Sequence, residues 1–195
     1  MARPSNTEAR RAEIVEGLLE VMSAKGYERA SVAEIARAAG LASGLVHYHF
    51  DSKQDILVAL VERLAAAVRE RYGAPDSSPR NQLLALVDAH LSLGEGSDPR
   101  AVAAWVVVGA EAVSQPEVRE VYSAALAAVR DEIERHLGAW RAEEGLDPAG
   151  ASAGSAAILS AIEGAYQISA AAPGLLPDGF AAPTIRALCE ALATR

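Results

Sequence analysis

Hydrogen-bonding side chains are concentrated between residues 43 and 49, which read Ser-Gly-Leu-Val-His-Tyr-His. A helix buried in a core does not spend successive positions on such residues, because each buried polar group would need a partner. A helix that lies in the DNA major groove needs donors for base edges and a small residue where its backbone meets the duplex. Ser43, Gly44, His47, Tyr48 and His49 are therefore the candidate DNA contacts. An ordinary helical hairpin with a purely structural role is the alternative.

A second pattern resembles a catalytic motif but lacks its requirements. Residues 150–154 read Gly-Ala-Ser-Ala-Gly, which matches the Gly-x-Ser-x-Gly nucleophile elbow. That elbow needs a strand before the serine and a histidine after it, whereas no strand pattern precedes Ser152 and the last histidine is His136. We therefore interpret Ser152 or Ser155 as a helix cap. His90 and His136 also lack metal-ligand spacing, so we expect no metal, no cofactor and no enzymatic activity.

The candidate DNA contacts follow two helical segments that end in glycine. The first segment carries an apolar stripe of helical spacing and ends at Lys25-Gly26, where a basic last turn meets a glycine. Ser31 and Glu34 then form a capping box, which starts a second, short helix. This second helix ends at Gly40.

The candidate contacts themselves form a third short helix, and a longer fourth helix comes directly after it. A turn at residues 41–43 separates the second and third segments, and Asp51 or Ser52 caps the fourth helix, which ends near Tyr72-Gly73. Two short helices joined by a three- or four-residue turn containing glycine are typical of a helix-turn-helix, whose second helix enters the major groove. The spacing therefore predicts a DNA-binding head.

The rest of the chain continues with apolar stripes of helical spacing between prolines, and no segment shows strand alternation. We count about nine helices and expect an all-α fold. The expected organisation is a helix-turn-helix DNA-binding domain at 1–51, a connecting helix at 52–73, and a ligand-binding and dimerisation domain at 74–195.

Composition and charge limit the remaining functions. A single cysteine, Cys189, excludes an intrachain disulfide and a zinc site built on cysteine pairs. The longest apolar run, 101–110, is half of the roughly 20 residues that a membrane helix needs. We expect no membrane segment, no secretory leader and a cytoplasmic location. Residues 76–195 hold 8 Lys/Arg against 16 Asp/Glu, so DNA binding is left to the neutral N-terminal part.

Four cations of that N-terminal part are placed to meet an anionic partner. Lys53 lies in the first turn of the fourth helix, where the helix dipole disfavours a cation, and this favours a phosphate partner over a solvated surface lysine. Arg3, Arg10 and Arg11 could reach the DNA minor groove or backbone from an N-terminal arm. A solvated tail is the alternative for these three arginines.

The stretch from Ser31 to Leu57, SVAEIARAAGLASGLVHYHFDSKQDIL, resembles the TetR/AcrR family of bacterial repressors, and the resemblance covers about residues 10–60. It implies that Ser31 caps the second helix and touches phosphate, and that Ala42, Ser43 and Gly44 form the groove-facing start of the recognition helix. It also implies phosphate-anchoring positions at Tyr48 and Lys53. His47 departs from the tyrosine that many members carry, whereas His49 keeps the family's choice of His or Tyr.

Small DNA-binding heads read short half-sites, so specificity calls for a two-fold dimer on a pseudo-palindrome. The resemblance implies that the last two long helices form the dimer interface, on which we place Ile158, Ile162, Ile185, Leu188 and Leu192. Many small alanines on these helices permit close approach.

Large aromatic residues and glycines of the C-terminal part could line a pocket for a small molecule. The candidate ligand-binding residues are Trp105, Gly109, Tyr122, Glu163 and Tyr166. Plain core packing is the alternative for each aromatic residue, and an intramolecular arginine could satisfy Glu163 as well as a ligand could.

The sequence thus predicts a homodimeric, sequence-specific DNA-binding regulator, a repressor that a small-molecule effector releases from a double-stranded operator. A helical interaction or adaptor module without specific DNA binding is the alternative.

Overall fold

A computed structural model describes residues 6–72, 78–91 and 98–195. Nine α-helices and one short 3-10 turn account for the regular structure of these residues, and they include no strand. The all-α fold with an N-terminal helix-turn-helix is therefore confirmed. The helices are α1 (Asn6–Lys25), α2 (Val32–Ala38), α3 (Ser43–His49), α4 (Lys53–Tyr72), α5 (Pro79–Leu91), α6 (Pro99–Ser114), α7 (Pro116–Glu143), α8 (Ala151–Ala171) and α9 (Ala181–Ala193).

The helices group into two compact units whose limits differ from the predicted domain ranges. The head unit comprises Met1–Leu64 and Arg100–Tyr122, and the second unit comprises Ala65–Pro99 and Ser123–Arg195. Almost all of α6 and the first quarter of α7 therefore belong with the helix-turn-helix rather than with the rest of 74–195. The reason is tertiary, since buried side chains of α6 and α7 join the core of the head.

One continuous apolar core holds the head unit together. Ile14 and Leu18 of α1, Ile35 of α2 and Ile56 and Leu60 of α4 are all fully enclosed. Residues of α6 and of the start of α7 complete this core: Ala104, Val108, Ala112 and Val118. Because these contacts join segments distant in sequence, α6 is held by the same burial of apolar surface that holds the helix-turn-helix.

Two glycines set the close packing and the turn of the helix-turn-helix. A Cβ on Gly17 of α1 would lie 2.7 Å from the carbonyl oxygen of Ile35, so only glycine permits this approach between α1 and α2. Gly40 has a φ of +68° after α2, the left-handed conformation that glycine adopts at no steric cost. The predicted end of α2 at Gly40 agrees with this geometry.

In the second unit α8 packs on both α5 and α9, and α5 packs on α9. Ile158, Ile162 and Ile185 face this interior and are 0%, 0% and 3% exposed. Their predicted place in a dimer interface is therefore wrong, because these side chains already form the core of their own chain. Leu188 and Leu192, the other two predicted interface residues, are half-buried.

The start of α8 also differs from the prediction. Gly150 is the N-cap and has no side chain to bond, while Asp147 caps the preceding 3-10 turn by accepting from the Ala149 amide at 2.9 Å. Ser152 is exposed in the first turn of α8, and buried Ser155 donates to the Ser152 carbonyl at 2.9 Å. Neither serine caps the helix, because the Asp147 turn already lies ahead of them.

No helix within the described residues is long and apolar enough to cross a membrane. Across the same residues, no three His, Cys, Asp or Glu side chains are grouped so that they could hold a metal ion.

Candidate nucleic-acid interface

The N-terminus of α2 carries the predicted capping box. The Ser31 hydroxyl accepts from the Glu34 amide at 3.3 Å, and the Ser31 amide donates to the Glu34 carboxylate at 3.2 Å. Lys25 donates to the other oxygen of the same carboxylate at 2.7 Å. The Lys25 hydrogen bond and the two from Ser31 lower the pKa of Glu34 to about 2. This arrangement places Ser31, which is exposed, on the surface of the head.

Most of helix α3 faces outward. Val46 is its single fully buried residue, while Ser43, Gly44 and His47 are exposed and Tyr48 is 79% exposed. Ala42, the N-cap, is exposed as well and makes no side-chain hydrogen bond. A helix that presents a hydroxyl, an imidazole and a phenol to solvent, beside a glycine, has the surface chemistry that base and phosphate recognition needs.

The C-terminal end of α3 contacts α1. Arg11 donates to the backbone carbonyl of His49, and its guanidinium lies 4.0 Å from the ring centroid of Phe50. Phe50, the residue that follows α3, is buried. His49 is half-buried, and its ring meets the edge of the Tyr48 ring at 5.0 Å. Arg11 therefore lies on the C-terminal end of α3.

Among the other two arginines predicted for an N-terminal arm, Arg10 forms an ion pair with Glu13 at 2.6 Å. Arg3 lies outside the described residues.

Lys53 begins α4 and is held against Tyr27. Its ammonium donates to the Tyr27 carbonyl at 3.0 Å and lies 4.1 Å from the centre of the Tyr27 ring. Tyr27 is buried, and this burial, with the nearby Glu111 charge, raises the pKa of its phenol to about 12. The Lys53 ammonium has three N–H donors and gives one to the Tyr27 carbonyl, so further donors remain for a phosphate.

Of the two residues predicted to cap α4, Ser52 makes the bonds. Its hydroxyl accepts from the Asp55 amide at 3.1 Å, and its amide donates to the Asp55 carboxylate at 2.9 Å.

Arg29 and Arg37 are two exposed cations that sequence reasoning missed. They flank the α2 capping box on either side, and within the described residues neither forms an ion pair or hydrogen bond through its guanidinium. The other described cations of the head have partners in the protein. The signal that could have found them was their position in the sequence, on either side of the Ser31–Glu34 capping box, whose Ser31 is exposed.

Polar contacts tie the head helices to α6 and α7, and the sequence pattern did not indicate them. Glu16 of α1 pairs with Arg63 of α4 and, at 3.2 Å, with Arg100 of α6. Gln54 of α4 donates to Glu117 of α7 at 2.9 Å. These contacts join four helices of the head around one core.

Two family models match this chain. The model described as "Bacterial regulatory proteins, tetR family" matches residues 14–60, and the model described as "BetI-type transcriptional repressor, C-terminal" matches residues 79–194. The chain belongs to the TetR family. Both descriptions are of bacterial transcriptional regulators.

Relatives and solved structures agree with this membership. The chain is 34% identical over 117 residues to the transcriptional regulator BetI of Ectopseudomonas mendocina, an alignment that covers 57% of this chain and 59% of the relative. BetI of Rhizobium meliloti is 31% identical over 115 residues, covering 57% and 56% of the two chains. The chain thus spans less than two thirds of the length of the curated relatives it matches.

Two solved structures share the fold. A transcriptional regulator from Rhodococcus sp. Rha1 superposes with a TM-score of 0.81 at 21% identity, covering 93% of this chain and 95% of that one. A regulator from Saccharomonospora viridis in complex with choline superposes with a TM-score of 0.77 at 23% identity, covering 95% of each chain.

The five predicted ligand-binding residues of this TetR-family chain divide between its two units. Trp105 and Tyr122 lie in the head unit with ring centroids 4.9 Å apart and planes tilted by 46°. Gly109 lies against Tyr122, since a Cβ there would come 3.1 Å from the Tyr122 hydroxyl. Glu163 and Tyr166 belong to α8 of the second unit.

Tyr166 makes a specific polar contact inside the second unit. Its hydroxyl donates to the His90 carbonyl at 2.6 Å, and burial raises the pKa of this phenol. Burial, with the Arg71 charge adding to it, lowers the pKa of His90 to about 4. The neighbours of Tyr166 therefore keep it in place as an internal hydrogen-bond donor.

Proposed function

We propose that this TetR-family regulator binds a pseudo-palindromic operator as a homodimer and represses transcription until a small molecule releases it. The observation that carries the proposal is the exposure of the polar face of α3 on a head whose other helices are packed into one core. We place the regulator in the cytoplasm, where bacterial operators lie.

The roles of the α3 residues follow from their chemistry and exposure. Ser43 and His47 contact base edges, and Gly44 lets the helix backbone approach the groove together with Ala42. Tyr48 binds phosphate through its exposed phenol. His49 lies at the C-terminal edge of this face, with its ring half-buried.

Four further side chains contact the phosphate backbone, from α2, from α4 and from the segment just before α2. Ser31 does so at the N-terminus of α2, where amides and the helix dipole favour an anion. Lys53 binds phosphate through the ammonium donors that are not bonded to the Tyr27 carbonyl, and Arg29 and Arg37 supply two more cations. Each phosphate contact adds about −0.9 to the slope of log affinity against log salt.

The dimer is proposed to form through the exposed face of α8. Ala153, Ala157, Ser160 and Gly164 follow each other at helical spacing and lie outside the core of the second unit. Small side chains let two helices approach closely, and the half-buried Leu188 and Leu192 of α9 supply apolar contact. Sedimentation at micromolar concentration should give twice the 20.3 kDa of one chain, and Ala157→Glu should return it to one.

The effector is proposed to be a small quaternary ammonium compound, with Trp105 and Tyr122 supplying its aromatic contacts. Aromatic faces attract such cations when the charge lies within about 6 Å of a ring centre. The BetI-type C-terminal match and the choline complex of the S. viridis regulator support this class.

Release requires that the effector bind the DNA-incompetent conformation better than the DNA-bound one. A coupling of roughly 1 to 3 kcal/mol would change DNA affinity about 5- to 150-fold. Helix α4 runs from the head unit into the second unit between Leu64 and Ala65, so we propose that it transmits the change and alters the spacing of the two recognition helices.

The deciding experiment is a selection on random duplex DNA at physiological salt with the purified protein. The expected result is an enriched palindrome. Lys53→Ala should weaken binding to all sequences uniformly, whereas Ser43→Ala or His47→Ala should change the preferred bases. A folded dimer that enriches no sequence, either alone or with cell extract, would favour the adaptor interpretation.

A matched pair of ligands tests the effector class. Choline should bind, and 3,3-dimethylbutan-1-ol, which has its shape without its charge, should bind at least tenfold more weakly. Calorimetry measures both. Trp105→Leu should abolish the difference, whereas Trp140→Phe, in the second unit, should leave it intact. Equal affinities for the two ligands would contradict the proposed aromatic contact with a cation.

A further inference from the structure

Little in its own sequence fixes the recognition helix α3 in place. It has seven residues, and isolated helices of this length are unstable in water. Its N-cap makes no side-chain hydrogen bond, and Val46 is the single residue that it buries fully. The direction of α3 must therefore depend on contacts from other helices, and the contact at its C-terminal end comes from α1.

Arg11 makes that contact in two ways. It donates to the His49 carbonyl, one of the last carbonyls of α3, which have no partner within the helix. A cation at this end also faces the negative end of the helix dipole. The same guanidinium lies 4.0 Å from the centre of the Phe50 ring, a cation–π distance, and Phe50 is itself 4% exposed.

Arg11 is held where it can do this by the core of the head. It lies one turn before Ile14 and two turns before Leu18, on the helical face that these fully buried residues define. Arg10, the adjacent residue, instead pairs with Glu13 on α1 itself. The two neighbouring arginines carry the same charge, but of the two only Arg11 contacts the end of α3.

We propose that Arg11 is a positioning residue for operator recognition. By binding the His49 carbonyl and covering Phe50, it fixes the C-terminal end of α3 and so the orientation in which Ser43 and His47 meet DNA. This role rests on the proposed operator binding, and it differs from the contact with the DNA minor groove or backbone that the sequence suggested for Arg11.

The test compares Arg11→Ala with Arg10→Ala, because each removes one positive charge from the same helix. The readout is the ratio of affinities for the selected operator and for a shuffled duplex of the same length, measured over a range of salt. Arg11→Ala should lower the ratio about tenfold, as expected for loss of a hydrogen bond from a charged group. Arg10→Ala should change it less than twofold, and the salt slope should be equal for the two variants.

Hydrogen exchange of the protein without DNA supplies a second readout. The Phe50 amide, which donates to the Val46 carbonyl at 2.9 Å, should exchange faster in Arg11→Ala than in Arg10→Ala. If Arg11→Ala does not fold, Arg11→Lys decides. It keeps the charge but loses the planar face over Phe50, and should lower the ratio about threefold.

Three results would overturn the inference: an unchanged ratio in Arg11→Ala, an equal fall in both arginine variants, or an Arg11→Ala salt slope that is shallower by about one, which marks a lost phosphate contact. Failure of the proposed function is a separate result, because the wild-type protein would then select no operator.

Discussion

Replacing Gly17 by alanine tests whether the close approach of α1 and α2 builds the DNA-binding head. The new Cβ would lie 2.7 Å from the Ile35 carbonyl oxygen, 3.1 Å from the Ala39 amide nitrogen and 3.2 Å from the Ala39 Cβ. The first two are backbone atoms, and the Ala39 amide donates a hydrogen bond to the Ile35 carbonyl at 2.9 Å, so neither atom can rotate away. Ordinary contact begins near 3.4 Å, and α1 and α2 must therefore separate by about 0.7 Å.

Two opposing terms set the magnitude. Overpacking of a well-packed core costs about 1 to 3 kcal/mol, and a clash with backbone belongs at the upper end. Glycine to alanine in a helix interior returns about 1 kcal/mol of helix propensity. We expect a net loss of about 1 to 2 kcal/mol in the free energy of unfolding of the head unit, which lowers the midpoint of a unit of this size by about 4 to 16 °C.

Gly44→Ala is the matched control. It is the same substitution in the same unit, within α3, and a Cβ there meets nothing within 4 Å. It should leave stability unchanged or raise it slightly. Thermal unfolding followed by Trp105 fluorescence in a Trp140→Phe background reports on the head, because Trp105 is then the sole tryptophan. Equal or higher stability of Gly17→Ala relative to Gly44→Ala would refute the steric argument.

Three further predictions concern charge and capping. Ser31→Ala should cost about 1 kcal/mol of stability, measured by urea unfolding, because it removes one half of the α2 capping box; an unchanged midpoint would contradict that role. The pKa of Glu34 is lowered to about 2, so its ionised form stabilises the folded head above pH 4.5. The stability of the wild type should therefore decline as the pH falls from 4.5 to 2, and the stability of Glu34→Gln should decline less over the same range. The pKa of His90 is lowered to about 4, so the folded state disfavours its protonated form. Its contribution to the free energy of unfolding is therefore complete above pH 6.5, and up to about 3 kcal/mol of that free energy is lost by pH 4. Urea unfolding at pH 7 and at pH 4.5 should show a smaller loss of stability in His90→Gln than in the wild type. An equal loss in both proteins would assign the pH dependence to another group, for example His136, whose pKa is also lowered by burial.

Features that depend on neighbouring residues could be predicted from the sequence. The Ser31–Glu34 capping box and the left-handed glycines after α1 and α2 follow from backbone geometry within a few residues. The polar character of α3 was equally readable, because consecutive hydrogen-bonding residues have no place in an apolar core. The TetR-family resemblance rests on these same local features.

What covers each apolar stripe was decided by tertiary structure alone. Helical periodicity identifies the face of Ile158 and Ile162 as apolar, but a core of the same chain and a second chain would bury it equally well. Residues distant in sequence, which pack on this face, determine that it is buried within its own chain. Long-range contacts also join α6 to the head, place Arg11 on the end of α3 and assign Trp105 and Tyr166 to different units. Local pattern thus determined the helices and the exposed polar face of α3, whereas long-range packing determined the two units, the partners of the buried apolar stripes and the contacts that support α3.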